Sequence, residues 1–317
     1  MDLFDLRQLK IFSALAETKS FTAAAEKLFL TQSAVSHSIK SLEGQLDCQL
    51  VERLGKTISL TGAGETLLSH AEIILTQAET AMMEVTSLLR PGFGRLRVGA
   101  AHTACYYILP AVIREFRECF PNCEISIMPG DTAELVNMVD AGQVDVAISL
   151  RSSKAEHLNF QPLFEDRLAC IYSPLSAPES LEFVTPKDLR REKLIVYAQR
   201  SLTTRMVEEH FRKHGVPTPQ LLALGNMEAI KEFAKIGVGV GIIAPWIADK
   251  ELGEKSLLIR ELGPEPIQRE WGIYSHSSRT LSIMEENFFG LSEMVCQEIA
   301  KKGQWNDAPA DDEAKEK

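Results

Sequence analysis

The sequence lacks a long apolar run and a basic leader, and each absence excludes a class of protein. No stretch of about 18 consecutive apolar residues occurs, which argues against a membrane-spanning helix. The first five residues, 1–5, are acidic where a secretory signal is basic. We therefore expect a cytoplasmic protein with no membrane partner.

The six cysteines do not form a recognisable metal or disulfide pattern. Only Cys119 and Cys123 are close together, and no second Cys or His pair accompanies them. The glycines at 237, 239 and 241 lack the spacing of a dinucleotide-binding loop, so a close-packed strand is the better interpretation. No nucleophile, phosphate-loop or metal motif is present, and we expect no cofactor and no catalysis.

The negative charge is unevenly distributed along the chain. The formal net charge is −10, which argues against a protein that binds nucleic acid along its whole surface. Residues 1–65, however, carry seven basic groups against eight acidic ones and are close to neutral. Part of the excess lies in residues 303–317, which we predict to be an acidic disordered tail.

The first 46 residues predict three short helices. Apolar residues share one face over 6–17, Ser20 and Thr22 can cap a second helix, and Thr31 a third that runs to about Leu46. The third helix has an apolar face opposite small polar donors, as a helix in a DNA major groove requires. An ordinary solvated face is the alternative. The predicted DNA contacts of this helix are Thr31, Gln32, Ser33, Ser36, His37 and Lys40.

Two extended runs around Gly55-Lys56 predict a two-stranded wing. Arg53 and Lys56 in this wing are expected to contact phosphates, which position a protein without reading sequence. We assign residues 1–61 to a winged helix-turn-helix domain, with the helix-turn-helix motif at about 21–40.

A long helix is predicted over residues 62–91. Its apolar residues recur four and three apart, which indicates a helix that pairs with a second copy. A core helix within one domain is the alternative. The predicted dimer contacts are Leu67, Ala71, Ile74, Ala78, Val85 and Leu88.

Residues 92–302 change to an α/β pattern. Such alternation implies mainly parallel sheets with crossover helices, in one domain or in two lobes. The strand-like runs are 96–98, 125–128, 144–148, 194–197 and 240–243, and the helical runs are 108–119, 133–141, 204–213 and 228–235.

Several segments together resemble the LysR-type transcriptional regulators. The resemblance is gapless over residues 5–65, with Thr31-Gln32-Ser33-Ala34-Val35-Ser36 and Thr61-Gly62-Ala63-Gly64 among its motifs. Residues 20–28 and 39–43 belong to the same signature, and residues 99–110, 142–148 and 237–245 resemble the sensor domain of this family.

The resemblance implies an α+β multidomain protein whose sensor has two α/β lobes, as in type-2 periplasmic binding proteins. It further implies dimers or tetramers of this chain, a double-stranded DNA operator and a small-molecule effector. We also expect RNA polymerase as a partner.

Polar residues follow several predicted strands, at the edge where open α/β sheets bind ligands. Because most of them carry hydroxyls, we expect a small anionic effector, with Arg151 pairing with a carboxylate. The alternative is that the hydroxyls are helix caps and that Arg151 is a solvated loop residue. The resemblance points to Thr103 first. The predicted effector contacts are Thr103, Thr132, Ser149, Arg151, Ser201 and Thr203.

The function expected from these features is sequence-specific, effector-responsive regulation of transcription. A second class fits residues 92–302 taken alone, namely a cytoplasmic small-molecule-binding protein or enzyme of the α/β class. The DNA-binding signature of residues 1–65 argues against it. A nucleoid protein is a third possibility, but such proteins are usually basic.

Overall fold

A computed structural model describes residues 5–54, 57–89, 93–176 and 183–303. Lys56 and the predicted tail beyond residue 303 lie outside these ranges. Within them, no helix combines the length and apolar character needed to cross a membrane.

The first three helices form a small domain with its own core. They are α1 (Leu6–Thr18), α2 (Phe21–Lys27) and α3 (Gln32–Leu46), as predicted from the sequence. Each begins where a side chain accepts hydrogen bonds from the first turn, at Asp5, Ser20 and Thr31. Their apolar faces meet at a core that includes Phe12 and Ile39.

The wing and the long helix are joined by a tight turn. Strands β1 (Val51–Leu54) and β2 (Thr57–Leu60) pair antiparallel, and α4 spans Gly62–Leu89. The Thr61 hydroxyl donates to the Gln49 carbonyl and accepts from the Gly64 N–H, at 2.7 and 3.0 Å. A Cβ at Gly64 would lie 2.1 Å from the Leu50 carbonyl oxygen, so only glycine allows this approach.

The apolar stripe of helix α4 is buried or half-buried at its start and exposed at several positions further along. Leu67 packs against the core of the N-terminal domain, and Ala71 is fully buried. Further along, Ile74 and Val85 are exposed, and Ala78 is half-buried. The side chain of Leu88 is not described. The first turns of the stripe therefore serve the core of their own chain, and pairing with a second copy stays a prediction for the remainder.

The rest of the chain builds two α/β lobes. Their elements are β3 (Phe93–Ala101), α5 (His102–Tyr107), α6 (Leu109–Cys119), β4 (Asn122–Gly130), α7 (Thr132–Asp140), β5 (Val146–Leu150), β6 (Asn159–Arg167), β7 (Ala169–Tyr172), β8 (Phe183–Val184), α8 (Pro186–Leu189), β9 (Leu194–Val196), α9 (Leu202–Lys213), β10 (Leu221–Ala223), α10 (Met227–Lys235), β11 (Val240–Ile243), α11 (Asp249–Gly253), β12 (Leu258–Leu262), β13 (Gln268–Ser275) and α12 (Ile283–Gly303).

The two sheets are mixed, where the sequence pattern predicted mainly parallel ones. The first lobe has five strands in the order β4-β3-β5-β13-β6, and the second has six in the order β10-β9-β11-β7-β12-β8. The chain passes between the lobes after β6 and after β12. Strand β7 therefore enters its sheet antiparallel to β11 and β12, and β13 returns antiparallel to β5 and β6. The Leu168 N–H donates to the Ile267 carbonyl at 3.0 Å and ties the two crossings together.

Candidate functional site

Helix α3 presents a polar face on the side away from the core. Gln32, Ser33, His37 and Lys40 are exposed, and Ser36 is half-buried at the edge of this face. The opposite face is buried within the domain. The helix can therefore offer its hydroxyl, amide, imidazole and ammonium groups to a partner without loss of core packing.

Two further predicted DNA contacts, Thr31 and Arg53, lie next to this face. Thr31 is exposed, but its hydroxyl also caps α3 by accepting from the Ala34 N–H at 3.2 Å. Arg53 lies on β1, although its side chain is not described. The Glu43 carboxylate accepts from the N–H groups of Leu50 and Val51, which holds the wing against α3.

A cleft of about 50 Å³ lies between the two lobes. From the first lobe it is lined by Thr103 at the start of α5 and Thr132 at the start of α7. From the second lobe it is lined by Ser201 and Thr203 at the start of α9. The structure thus brings four of the six predicted effector contacts together from distant parts of the sequence.

The other two predicted contacts do not line this cleft. Ser149 is fully buried and donates a hydrogen bond to the Thr132 hydroxyl at 2.9 Å, so it orients a lining residue. Arg151 is exposed, pairs with Glu270 at 2.7 Å and lies over the ring of Phe160. The solvated-loop alternative therefore describes Arg151 better than a role in the cleft, because its guanidinium is already held outside.

A different arginine supplies the cation of the cleft. Arg269 lines it from β13, and only 4% of its side chain is exposed. Its Nε and Nη2 donate to the two oxygens of Asp166 at 2.8 and 2.6 Å, and its Nη1 donates to the Thr203 hydroxyl at 2.9 Å. The indole N–H groups of Trp246 and Trp271 also donate to Asp166, both at 2.9 Å. Arg269 thus joins the cleft to both crossing segments.

Sequence reasoning missed Arg269 because strand β13 was not recognised. Arg269 and Trp271 are two residues apart on one strand, so their side chains share a face. An arginine beside a tryptophan on a strand was the available signal. The partner Asp166 lies 103 positions earlier, and no local pattern connects the two residues.

An aromatic pair and a capped helix complete the cleft. The rings of His102 and Tyr197 face each other from opposite lobes, with their centroids 5.6 Å apart. Burial raises the pKa of Tyr197, and the nearby charges of Asp131 and Glu134 raise it further, so its hydroxyl remains a donor at neutral pH. The Asp131 carboxylate caps α7, where it accepts from the N–H groups of Ala133 and Glu134.

Comparisons with known proteins identify both parts of the chain. A family model described as a bacterial regulatory helix-turn-helix protein of the lysR family matches residues 6–65, and the LysR substrate binding domain matches residues 90–295. A probable RuBisCO transcriptional regulator of Synechocystis sp. is 30% identical over 282 residues, which cover 87% of this chain and 82% of that protein.

Solved structures agree in fold. ArgP from Mycobacterium tuberculosis matches with a TM-score of 0.70 at 22% identity, over 93% of this chain and 98% of that one. Full-length CbnR, solved in complex with its target DNA, matches with a TM-score of 0.65 at 20% identity, over 92% of this chain and all of that one, 100%. Together with the two family models, these matches show that the chain belongs to the LysR family of bacterial transcriptional regulators, with an N-terminal helix-turn-helix and a C-terminal substrate-binding domain.

Proposed function

We propose that this regulator binds a double-stranded operator through α3 and the wing, and that a small anion bound between the lobes changes its activity on that operator. The observation that carries the proposal is Arg269, a buried cation on the wall of a cleft lined with hydroxyls.

The contacts to DNA follow from the polar face of α3. Ser33, Ser36 and His37 would reach base edges, because they lie in the first two turns of a helix whose other face is buried. Lys40, one turn further on, would contact a phosphate without reading sequence. The predicted roles of Thr31, Gln32, Arg53 and Lys56 remain part of the proposal, and the structural neighbour CbnR, solved with its target DNA, supports DNA as the partner.

The size and the donors of the cleft favour a small anion. Its volume of about 50 Å³ accommodates a few heavy atoms rather than an extended metabolite. Hydroxyls from Thr103, Thr132 and Tyr197 and the guanidinium of Arg269 are donors in this space, whereas the Ser201 hydroxyl already donates to Thr204. The carboxylate of Asp131 also lies at its edge, but its hydrogen bonds within α7 hold it as a cap. A carboxylate or an inorganic oxyanion suits such a set of donors.

We further propose that the regulator is an oligomer and acts in the cytoplasm. Exposed Ile74 and Val85 on α4 support a homodimer or homotetramer in which residues 62–91 separate the DNA-binding domain, 1–61, from the sensor, 92–302. A partner that is chromosomal DNA puts the protein in the cytoplasm, where RNA polymerase is the further partner. We propose that the cleft binds its ligand without turnover, since regulation is the role of this family.

The test combines operator binding with a ligand screen. Full-length protein is first assayed by gel shift against fragments of its genome, and the shifted fragment is then titrated with a panel of small carboxylates, phosphate and sulfate. Thr103→Val keeps the shape of the side chain and removes the hydroxyl, so it should bind the operator normally and lose the response to the active anion. A wild-type response in Thr103→Val, or no fragment shifted by the wild type, would contradict the proposal.

A further inference from the structure

A second and larger cavity lies between the lobes, away from the cleft. Its volume is about 430 Å³, and its lining includes Tyr106, Tyr107 and Trp246. The rings of Tyr107 and Trp246 meet edge to face, with centroids 5.7 Å apart. Tyr106 is 64% exposed at the rim. Aromatic side chains therefore form the wall of a space that is much larger than the cleft.

A cluster of charged side chains lies at the floor of this cavity, and two of them, Lys231 and Glu251, are buried. Lys231 is 4% exposed, and its Nζ lies 2.8 Å from Glu228 and 3.1 Å from Glu251. Lys235 approaches Glu251 at 3.7 Å but is held more closely by Glu232, at 2.7 Å. The lining itself carries three carboxylates, Glu228, Asp249 and Glu251, and two ammonium groups, Lys231 and Lys250, so its net charge is negative.

One oxygen of this cluster has no partner. Glu251 is only 5% exposed, and the contacts to Lys231 and Lys235 both use its Oε1. Among the described residues, its Oε2 accepts no hydrogen bond, although it is buried. A buried carboxylate oxygen without a donor is costly, so this side chain of the lining is suited to a ligand that donates.

We propose that this cavity is a second ligand site, which binds a small organic ammonium ion through Glu251 and the rings of Tyr106 and Trp246. The ammonium group supplies the donor for Glu251 Oε2 and neutralises the excess negative charge of the floor. Ring faces attract the same cation, since an aromatic ring is negative on its faces. The Tyr107 ring already has the Lys231 ammonium 5.7 Å from its centroid. This proposal does not depend on the anion in the cleft.

The probe for this site is 2-phenylethylammonium chloride, and 3-phenylpropionate is the control of opposite charge. Full-length protein is titrated at constant ionic strength by calorimetry, with tryptophan emission as a second readout because Trp246 lines the cavity. We expect saturable binding of the amine with a change in emission, and no binding of the carboxylate at this site.

Three variants locate the binding. Glu251→Gln removes the charge with little change in shape and should weaken amine binding by roughly tenfold or more, the loss of a charge-assisted hydrogen bond. Tyr106→Ala changes an exposed residue and should weaken it roughly two- to fivefold. Glu254→Gln alters an exposed carboxylate outside the lining and should bind as the wild type does.

Several results would overturn the proposal. One is the absence of saturable amine binding to the wild type, and another is unchanged amine affinity in a folded Glu251→Gln. A third is that Glu254→Gln weakens amine binding as much as Glu251→Gln does, which would indicate general attraction to an acidic chain. If Glu251→Gln fails to fold, unchanged affinity in Tyr106→Ala would by itself reject the site. Competition of the amine by 3-phenylpropionate would reject the ligand class.

Discussion

Replacing Asp166 by asparagine tests how much the buried Asp166–Arg269 pair, which joins the neighbouring strands β6 and β13 of the first lobe, contributes to stability. The Asp166 carboxylate is 3% exposed and accepts from the guanidinium of Arg269 and from the indoles of Trp246 and Trp271. Asparagine has the same shape and retains one acceptor oxygen. The change therefore removes the charge and one acceptor without opening a cavity.

The magnitude follows from the donors that converge on this side chain. If the amide oxygen takes the place of Oδ2, which accepts from Arg269 Nη2 and both indoles, the amide NH₂ must face the Nε–H of Arg269. Two donors then oppose each other, and the guanidinium loses its buried counter-charge. Breaking one partner of a buried pair costs about 3–5 kcal/mol of the free energy of unfolding.

Urea unfolding of the full-length chain, followed by tryptophan emission, measures this loss. The matched control is Glu270→Gln, at the position next to Arg269 on β13. It breaks the solvent-accessible pair with Arg151 and should lower the free energy of unfolding by about 0–1 kcal/mol after solvent screening. Sulfate should restore stability to Asp166→Asn more than to Glu270→Gln, because an anion in the cleft can replace the lost charge beside Arg269. A loss below about 1 kcal/mol in Asp166→Asn would refute the reasoning.

Three other predictions follow from the same structure. Lys40→Ala should weaken binding to all DNA sequences and flatten its salt dependence. His37→Ala should weaken the free energy of operator binding by roughly 1–3 kcal/mol and relax sequence choice. Unchanged affinity of both variants in a gel shift would contradict the assignment of this face of α3 to DNA. Ile74→Lys places a charge on the exposed stripe of α4 and should yield smaller oligomers, and sedimentation showing an undisturbed oligomer would contradict pairing through α4. Iodoacetamide at about pH 8 should modify exposed Cys48 well before Cys296, whose pKa burial raises to about 12; equal rates by mass spectrometry would argue against that burial.

The N-terminal domain could be predicted from the sequence because its signals are local. Helices α1 to α3 begin at capping residues and repeat their apolar residues every three or four positions, which needs no knowledge of distant partners. At the start of the stripe on α4, local spacing is ambiguous. Leu67 continues the heptad spacing and also packs against the core of the N-terminal domain, and Ala71 is buried within its own chain, so spacing alone does not distinguish a core contact from a dimer contact.

The sensor was less predictable because its sites combine residues that are distant in sequence. Thr103, Thr132 and Ser201 could be identified since each lies where a strand passes into a helix. The cation could not, because Arg151 directly follows β5 and Arg269 lies on the neighbouring antiparallel strand β13, and no local pattern decides which of the two lines the cleft. Glu270 draws Arg151 to the surface, and Asp166 holds Arg269 inside.

The two cavities share the elements that the lobes use to meet. Helix α5 borders the cleft at Thr103 and the second cavity at Tyr107, and α10 borders them at Met227 and Lys231. The Tyr107 hydroxyl donates to Glu228, so this hydrogen bond crosses from one lobe to the other. The two cavities therefore border the same pair of short helices, one from each lobe, and the Tyr107–Glu228 hydrogen bond joins the two members of that pair.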